Sequence, residues 1–139
     1  MTPRILLVED NPADIELFTI AFEDAGTAVV IDNVRDGREA KNRLLQMVMP
    51  DLRLIVLDLN LPSISGLELL DLIKHDPKWI GVPTAMLTSS SRQQDRDRAL
   101  ALKVDAYLVK PEEFSGYERI VTELIACMER GARVRPALT

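Results

Sequence analysis

Five short apolar runs, none of them alternating with polar residues, constrain this chain more than any other feature of its sequence. They are Ile5-Leu6-Leu7-Val8, Ala28-Val29-Val30-Ile31, Leu54-Ile55-Val56-Leu57, Thr84-Ala85-Met86-Leu87 and Ala106-Tyr107-Leu108-Val109. A strand with one wet face alternates, whereas a run that is apolar throughout reads as a strand covered on both faces. Between the runs the period becomes helical. Ile15, Phe18, Phe22 and Ala25 recur behind Asn11-Pro12, a good cap followed by a proline suited to the first helical position. Ser65-Gly66-Leu67-Glu68 and Ser91-Arg92-Gln93-Gln94 both match the capping box, with Ser at the cap and Glu or Gln three residues later. Strands alternating with helices imply parallel βαβ units with right-handed crossovers. The expected fold is a three-layer α/β/α sandwich.

The length of 139 residues fits one domain, and 47% apolar residues give it a core without staples. We expect residues 1–130 to form that domain and 131–139 a short tail, which leaves no room for a separate output module. With 17 basic against 22 acidic residues the chain carries a formal charge of −5, an unfavourable balance for binding nucleic acid or anionic membranes. Cys127 is the single cysteine and lies in an apolar stretch, so it reads as a buried hydrophobe in a cytoplasmic protein. No stretch has the length of a membrane span or the form of a signal peptide.

In a doubly wound sheet, chemistry gathers at the carboxyl ends of the strands. Here those ends carry Glu9-Asp10, Asp58, Thr88 and Lys110. With the strand order 2-1-3-4-5, the first and third strands are neighbours and Glu9, Asp10 and Asp58 crowd together. Clustered carboxylates repel unless a cation sits among them, and an all-oxygen set with room for water suits Mg²⁺. Asp58, alone at the end of the central strand, is the natural nucleophile toward a phosphoryl group. Lys110 and Thr88 would neutralise and hydrogen-bond the phosphoryl oxygens.

Taken together, Leu7-Val8-Glu9-Asp10-Asn11, Leu57-Asp58-Leu59-Asn60-Leu61-Pro62, Leu87-Thr88-Ser89 and Tyr107-Leu108-Val109-Lys110-Pro111 resemble the response-regulator receiver domains of two-component signalling. The resemblance implies a flavodoxin-like sheet of order 2-1-3-4-5. It also implies an Mg²⁺ site of Glu9, Asp10, Asp58 and the Asn60 backbone carbonyl, with phosphorylation on Asp58 by a sensor histidine kinase. Thr88 and Tyr107 would form the switch, Lys110-Pro111 would be a cis peptide, and Asn60 and Ser90 would occupy positions that tune dephosphorylation. The kinase would dock near Asn11, Asp14 and Ile15, and the signal would leave through the fourth helix, fifth strand and fifth helix, by homodimerisation or partner binding. The Glu9–Asp14 segment and the Asp76–Pro83 connection are most similar to the single-domain regulators associated with bacterial phytochromes. That likeness implies a bacteriophytochrome as the kinase.

Other readings fit less well. A flavin carrier of the same topology would want a hydroxyl-rich loop after the first strand, where this chain has Glu9-Asp10-Asn11. An aspartyl-phosphate hydrolase would want an acid two residues beyond Asp58, where Asn60 stands. Two departures from the family pattern are local. Ser65 replaces an aspartate before Gly66, and Lys103 stands where a glycine normally ends the fourth helix, so Lys103 must take a left-handed conformation or end the helix differently. The fourth helix offers only Ala99 and Leu102 as an apolar stripe. The last helix is expected over 117–130, His75 on the surface, and Trp79 partly buried in a loop.

Overall fold

A computed structural model of the chain describes residues 2–46 and 49–134, with side chains described as far as 131. The elements alternate throughout. They are β1 (Arg4–Val8), α1 (Pro12–Asp24), β2 (Val30–Val34), α2 (Gly37–Gln46), β3 (Leu52–Leu57), α3 (Gly66–His75), β4 (Thr84–Thr88), α4 (Gln93–Ala101), β5 (Ala106–Val109) and α5 (Tyr117–Val134). The strands form one parallel sheet of order β2-β1-β3-β4-β5.

The alternation of side chains along each strand explains the continuous apolar runs. Ile5, Leu7, Leu54, Val56, Ala85 and Leu87 pack with Phe18 and Phe22 of α1 and Val121 and Leu124 of α5. Leu6, Val8, Ile55, Leu57 and Met86 point the other way, into a core with Leu44 of α2, Leu70 and Ile73 of α3, and Ala99 of α4. Residues of the central strands β1, β3 and β4 therefore meet a helical layer whichever way they point.

The same alternation sorts the functional residues. Glu9, Asp58 and Lys110 continue the series 5-7, 54-56 and 108 that faces α1 and α5. Thr88 shares the parity of Met86, and Tyr107 belongs to the core beneath α4.

Local signals mostly hold. Asn11 caps α1, its side-chain oxygen accepting from the Ala13 and Asp14 amides, and Ser65 caps α3 by accepting from the Glu68 amide. The second capping box does not form: α4 begins with Arg92 as the cap and no side-chain bond there. Ser90 flanks this start, accepting from the Arg92 amide at 3.4 Å and donating to Asp95 at 2.6 Å.

The apolar run at 28–31 marks β2 too early. The strand covers Val30–Val34 and is an edge strand, so Asp32 can sit within it, held by Arg4 and Arg43. Trp79 is more buried than its loop position suggests, at 4% exposure, because it lies in a 3₁₀ turn with its indole N–H on the Leu44 carbonyl.

Lys103 does take the left-handed conformation, at φ +65°. α5 runs to Val134 rather than stopping at Arg130. Gly131, the first residue of the expected tail, lies inside the helix, and a Cβ there would stand 2.5 Å from Pro83 Cγ, so it is a close-packing position. Residues 135–139 of the expected tail lie outside the described residues. Among the described residues no helix is long and apolar enough to cross a membrane.

Candidate functional site

The carboxyl ends of β1, β3 and β5 bring Glu9, Asp10, Asp58 and Lys110 to one depression. Its volume is about 840 Å³, and its lining includes Asp10, Asn11, Asp14, Asp58, Asn60 and Lys110. Asp58 is held from both sides. Its amide donates to the Val8 carbonyl at 3.1 Å, and its side chain accepts from the Asn60 amide at 3.3 Å. Its own carbonyl lies against the start of α3, where a Cβ on Gly66 would stand 2.0 Å from that oxygen. Only glycine lets α3 approach the acceptor strand so closely.

Glu9 and Asp58 are buried, at 3% and 6% exposure. One carboxylate oxygen from each of Glu9, Asp10 and Asp58 lies within 4.8 Å of the other two. Hard oxygen donors this close, on a concave surface open to water, fit a small divalent cation. In this structure the Lys110 ammonium supplies the positive charge. It contacts Glu9 Oε1 at 2.7 Å, Asp14 Oδ2 at 2.8 Å and Asp58 Oδ2 at 2.9 Å. Burial lowers the lysine's proton affinity, but the hydrogen bonds to Asp14, Glu9 and Asp58 outweigh it and hold Lys110 above its ordinary value.

Glu9 is pushed the other way from an ordinary carboxylate. Burial raises it to about 7, against the lowering effect of Lys110 and of the Asn11 amide. Its second oxygen accepts from the Asp10 and Asn11 amides at 3.0 and 3.1 Å.

The expected cis peptide is absent: all peptide bonds of the described residues are trans, Lys110–Pro111 included. Lys110 has no need of the other isomer. Its amide donates to the Thr88 carbonyl at 2.8 Å, which fixes the end of β5, and from there the side chain reaches all its carboxylate partners.

Thr88 is fully buried at the end of β4, its hydroxyl accepting from the Ser90 amide at 3.3 Å. The Tyr107 hydroxyl donates to the Ser90 carbonyl at 3.0 Å, and its ring is buried with the Arg96 guanidinium 5.1 Å from its centre. Tyr107 is thus packed into the core with its hydroxyl on the Ser90 loop. Ser90 joins the segments, touching Thr88, Tyr107 and, through Asp95, the first turn of α4.

The family model that describes the response regulator receiver domain matches residues 5–122. The chain belongs to the response regulator receiver family. Among curated relatives, the probable methanogenesis regulatory protein FilR2 of Methanothrix harundinacea is 39% identical over 125 residues, covering 86% of this chain and 79% of FilR2. The receiver spans about half the length of several other curated relatives, 47% and 53% of two of them.

Solved structures agree. The phosphorylated cyanobacterial phytochrome response regulator RcpA superposes with TM-score 0.81 at 35% identity, over 88% of this chain and 91% of that one. The Mn²⁺-bound form of the response regulator Rcp1 gives 0.80 at 32%, over 89% and 92%. The bacteriophytochrome response regulator AtBRR gives 0.73 at 38%, over 89% and 93%. Phytochrome response regulators are thus among the structural neighbours of this receiver.

Every site residue expected from the sequence, Glu9, Asp10, Asp58, Asn60, Thr88 and Lys110, comes to this end of the sheet. The contact that sequence reasoning missed is that of Asp14 with Lys110. The two lie 96 positions apart, and only the folded structure, in which the Lys110 side chain reaches the first turn of α1, reveals the pair.

Proposed function

We propose that this receiver accepts a phosphoryl group on Asp58 from a histidine kinase and changes its α4–β5 surface in response. The observation that carries the reading is the convergence of Asp58, two further carboxylates and the half-buried Lys110 ammonium at the carboxyl end of the sheet. An Asp58 oxygen would form the new P–O bond as the P–N bond to the donor imidazole breaks, with the electron pair passing to that nitrogen. A bound Mg²⁺ would offset the negative charge of the acceptor and the incoming phosphoryl oxygens. The donor set of Glu9, Asp10 and Asp58 suits that ion, the Asn60 carbonyl would be a further ligand, and Rcp1 is a neighbour known in an Mn²⁺-bound form.

Lys110 would donate to one phosphoryl oxygen and the Thr88 hydroxyl to another. Turning Thr88 toward the phosphoryl group gives up the bond from the Ser90 amide, and the loop that holds Tyr107 and Asp95 must adjust. α4 is suited to respond, because Ala99 is its one buried residue.

The partner we propose is a cytoplasmic sensor kinase of the bacteriophytochrome type, in keeping with RcpA and AtBRR. Docking would use the exposed cap Asn11 and the half-buried Asp14 and Ile15 at the start of α1. A homodimer through α4, β5 and α5 is the proposed output, with Leu100, 53% exposed, as its apolar contact. Most apolar residues of α5 are buried in the receiver itself and do not add to that face.

The test is a ¹⁵N-resolved titration with Mg²⁺ and fluoroberyllate, a phosphoryl mimic. Amide shifts are expected at 9–14, 58–60, 88–92 and 107–110. Shifts confined to 9–14, with none at 58–60 or 88–110, would overturn the reading.

A further inference from the structure

The three donors of the Lys110 ammonium are all used, on Glu9, Asp14 and Asp58. Two of these acceptors have other duties in the proposed cycle, Glu9 toward the cation and Asp58 toward the phosphoryl group. Asp14 has none. It stands outside the cluster of Glu9, Asp10 and Asp58 oxygens. It sits in the first turn of α1, where its amide donates to the Asn11 side chain at 3.2 Å, and its side chain is 26% exposed against 11% for Lys110. A carboxylate there is also favoured by the positive end of the helix.

We propose that Asp14 is a positioning residue for Lys110, the carboxylate that keeps the ammonium in the site while Glu9 and Asp58 release it. This rests on the phosphoacceptor reading of Asp58 but makes a separate claim. A largely desolvated ammonium that lost two of its three partners would otherwise have to leave the site or stay and compete with the cation for the same oxygens. With Asp14 in place, one short charge-assisted bond persists from a fixed point on the helix. The nearby phenol of Tyr117 registers the same local charge, being raised to about 12 by burial and then by Asp14.

Two ways of acting must be separated. Asp14 could act through Lys110, or it could simply add negative charge near the cation. A double-mutant cycle read by calorimetric Mg²⁺ binding, with no phosphodonor present, distinguishes them. Asp14→Asn keeps the shape and removes the charge. In the wild-type background it is expected to weaken Mg²⁺ binding by about three- to tenfold, and Asp14→Glu to restore most of the loss. In a Lys110→Met background the same Asp14→Asn change is expected to cost less than twofold. Equal losses in both backgrounds, or no loss in either, would overturn the proposal.

Because Lys110→Met removes the counter-charge of several carboxylates and can fail to fold, a second readout is needed. The Lys110 ammonium resonance, observed by ¹⁵N NMR with Mg²⁺ and fluoroberyllate, should persist in the wild type and exchange away in Asp14→Asn. An unchanged resonance would also overturn the proposal. If the wild type takes no phosphoryl group on Asp58, the function reading fails on its own, and the Mg²⁺ cycle still decides the role of Asp14.

Discussion

Replacing Gly66 by alanine sets two effects of opposite sign against each other, and the structure decides between them. Gly66 is the first residue of α3. On helix propensity alone, Gly66→Ala should stabilise the chain by up to about 1 kcal/mol. The new Cβ, however, would stand 2.0 Å from the Asp58 carbonyl oxygen, 2.8 Å from its carbon and 3.0 Å from Leu59 Cα. Ordinary contact begins near 3.4 Å, and every atom in the way is backbone, so no side chain can swing aside. Either α3 or the 58–59 segment must move by more than 1 Å. Overpacking of this kind costs typically about 1–3 kcal/mol, and the absence of a flexible neighbour puts Gly66→Ala at the upper end.

We expect a net loss of about 2 kcal/mol, read as a lower urea midpoint at unchanged m and a fall in Tm of roughly 4–8 °C. The shift falls on the phosphoacceptor itself. A displacement near 1 Å is enough to slow a positioned reaction by about 100-fold, so phosphoryl uptake from acetyl phosphate should fall far more than stability does. A variant as stable as the wild type and phosphorylated at the same rate would refute the claim that close approach of α3 fixes Asp58.

Three further outcomes follow from particular residues. Lys103→Gly relieves a left-handed non-glycine residue at φ +65° on an exposed turn, and should raise stability by about 0.5–1 kcal/mol in urea unfolding; a loss would contradict the assigned strain. Glu9, raised by burial from 4.5 to about 7, favours its neutral form in the folded cation-free protein, so its contribution to stability is fully present below pH 4.5 and is lost as pH rises through about 7. Cation binding needs the ionised form, so Mg²⁺ affinity should climb over the same window with proton release, and an affinity independent of pH between 5 and 8 by calorimetry would count against this. Tyr107→Phe removes the bond to the Ser90 carbonyl at a cost of about 1 kcal/mol, and should broaden the amide signals of 88–92 without abolishing phosphorylation; unchanged signals would show that the hydroxyl does not hold the loop.

The parts of this fold that were legible in the sequence are those governed by burial on both faces or by one side chain capping its own helix. β1, β3 and β4 are covered by helices on either side, so Ile5–Val8, Leu54–Leu57 and Ala85–Leu87 had to be apolar throughout. β5, though an edge, keeps Tyr107 buried and Leu108 and Val109 packed against the two cores. β2 is an edge, where Asp32 and Asn33 find partners in Arg43 and in the Leu7 carbonyl, and its position could not be read from apolarity. Lys103 was legible because the missing glycine left a left-handed position to fill.

Gly131 misled for the converse reason. It fell in the expected tail, but it is a helical residue in contact with Pro83, which only the packed structure reveals. The site residues follow the strand ends and were accessible from spacing. Their charge partners were not, since Asp14 meets Lys110 only where the lysine side chain reaches the first turn of α1. Ser90 is similar: it was visible as a position near Thr88, but its bonds to Tyr107 and Asp95 depend on how β5 and α4 flank the loop.

The claim on which the account rests is that Asp58 is the phosphoacceptor. Intact-mass spectrometry after incubation with Mg²⁺ and acetyl phosphate, on the wild type and on Asp58→Asn, tests it most directly. The account predicts one phosphoryl adduct on the wild type, lost when Mg²⁺ is chelated and absent from Asp58→Asn. An adduct on both proteins, or on neither, would contradict it.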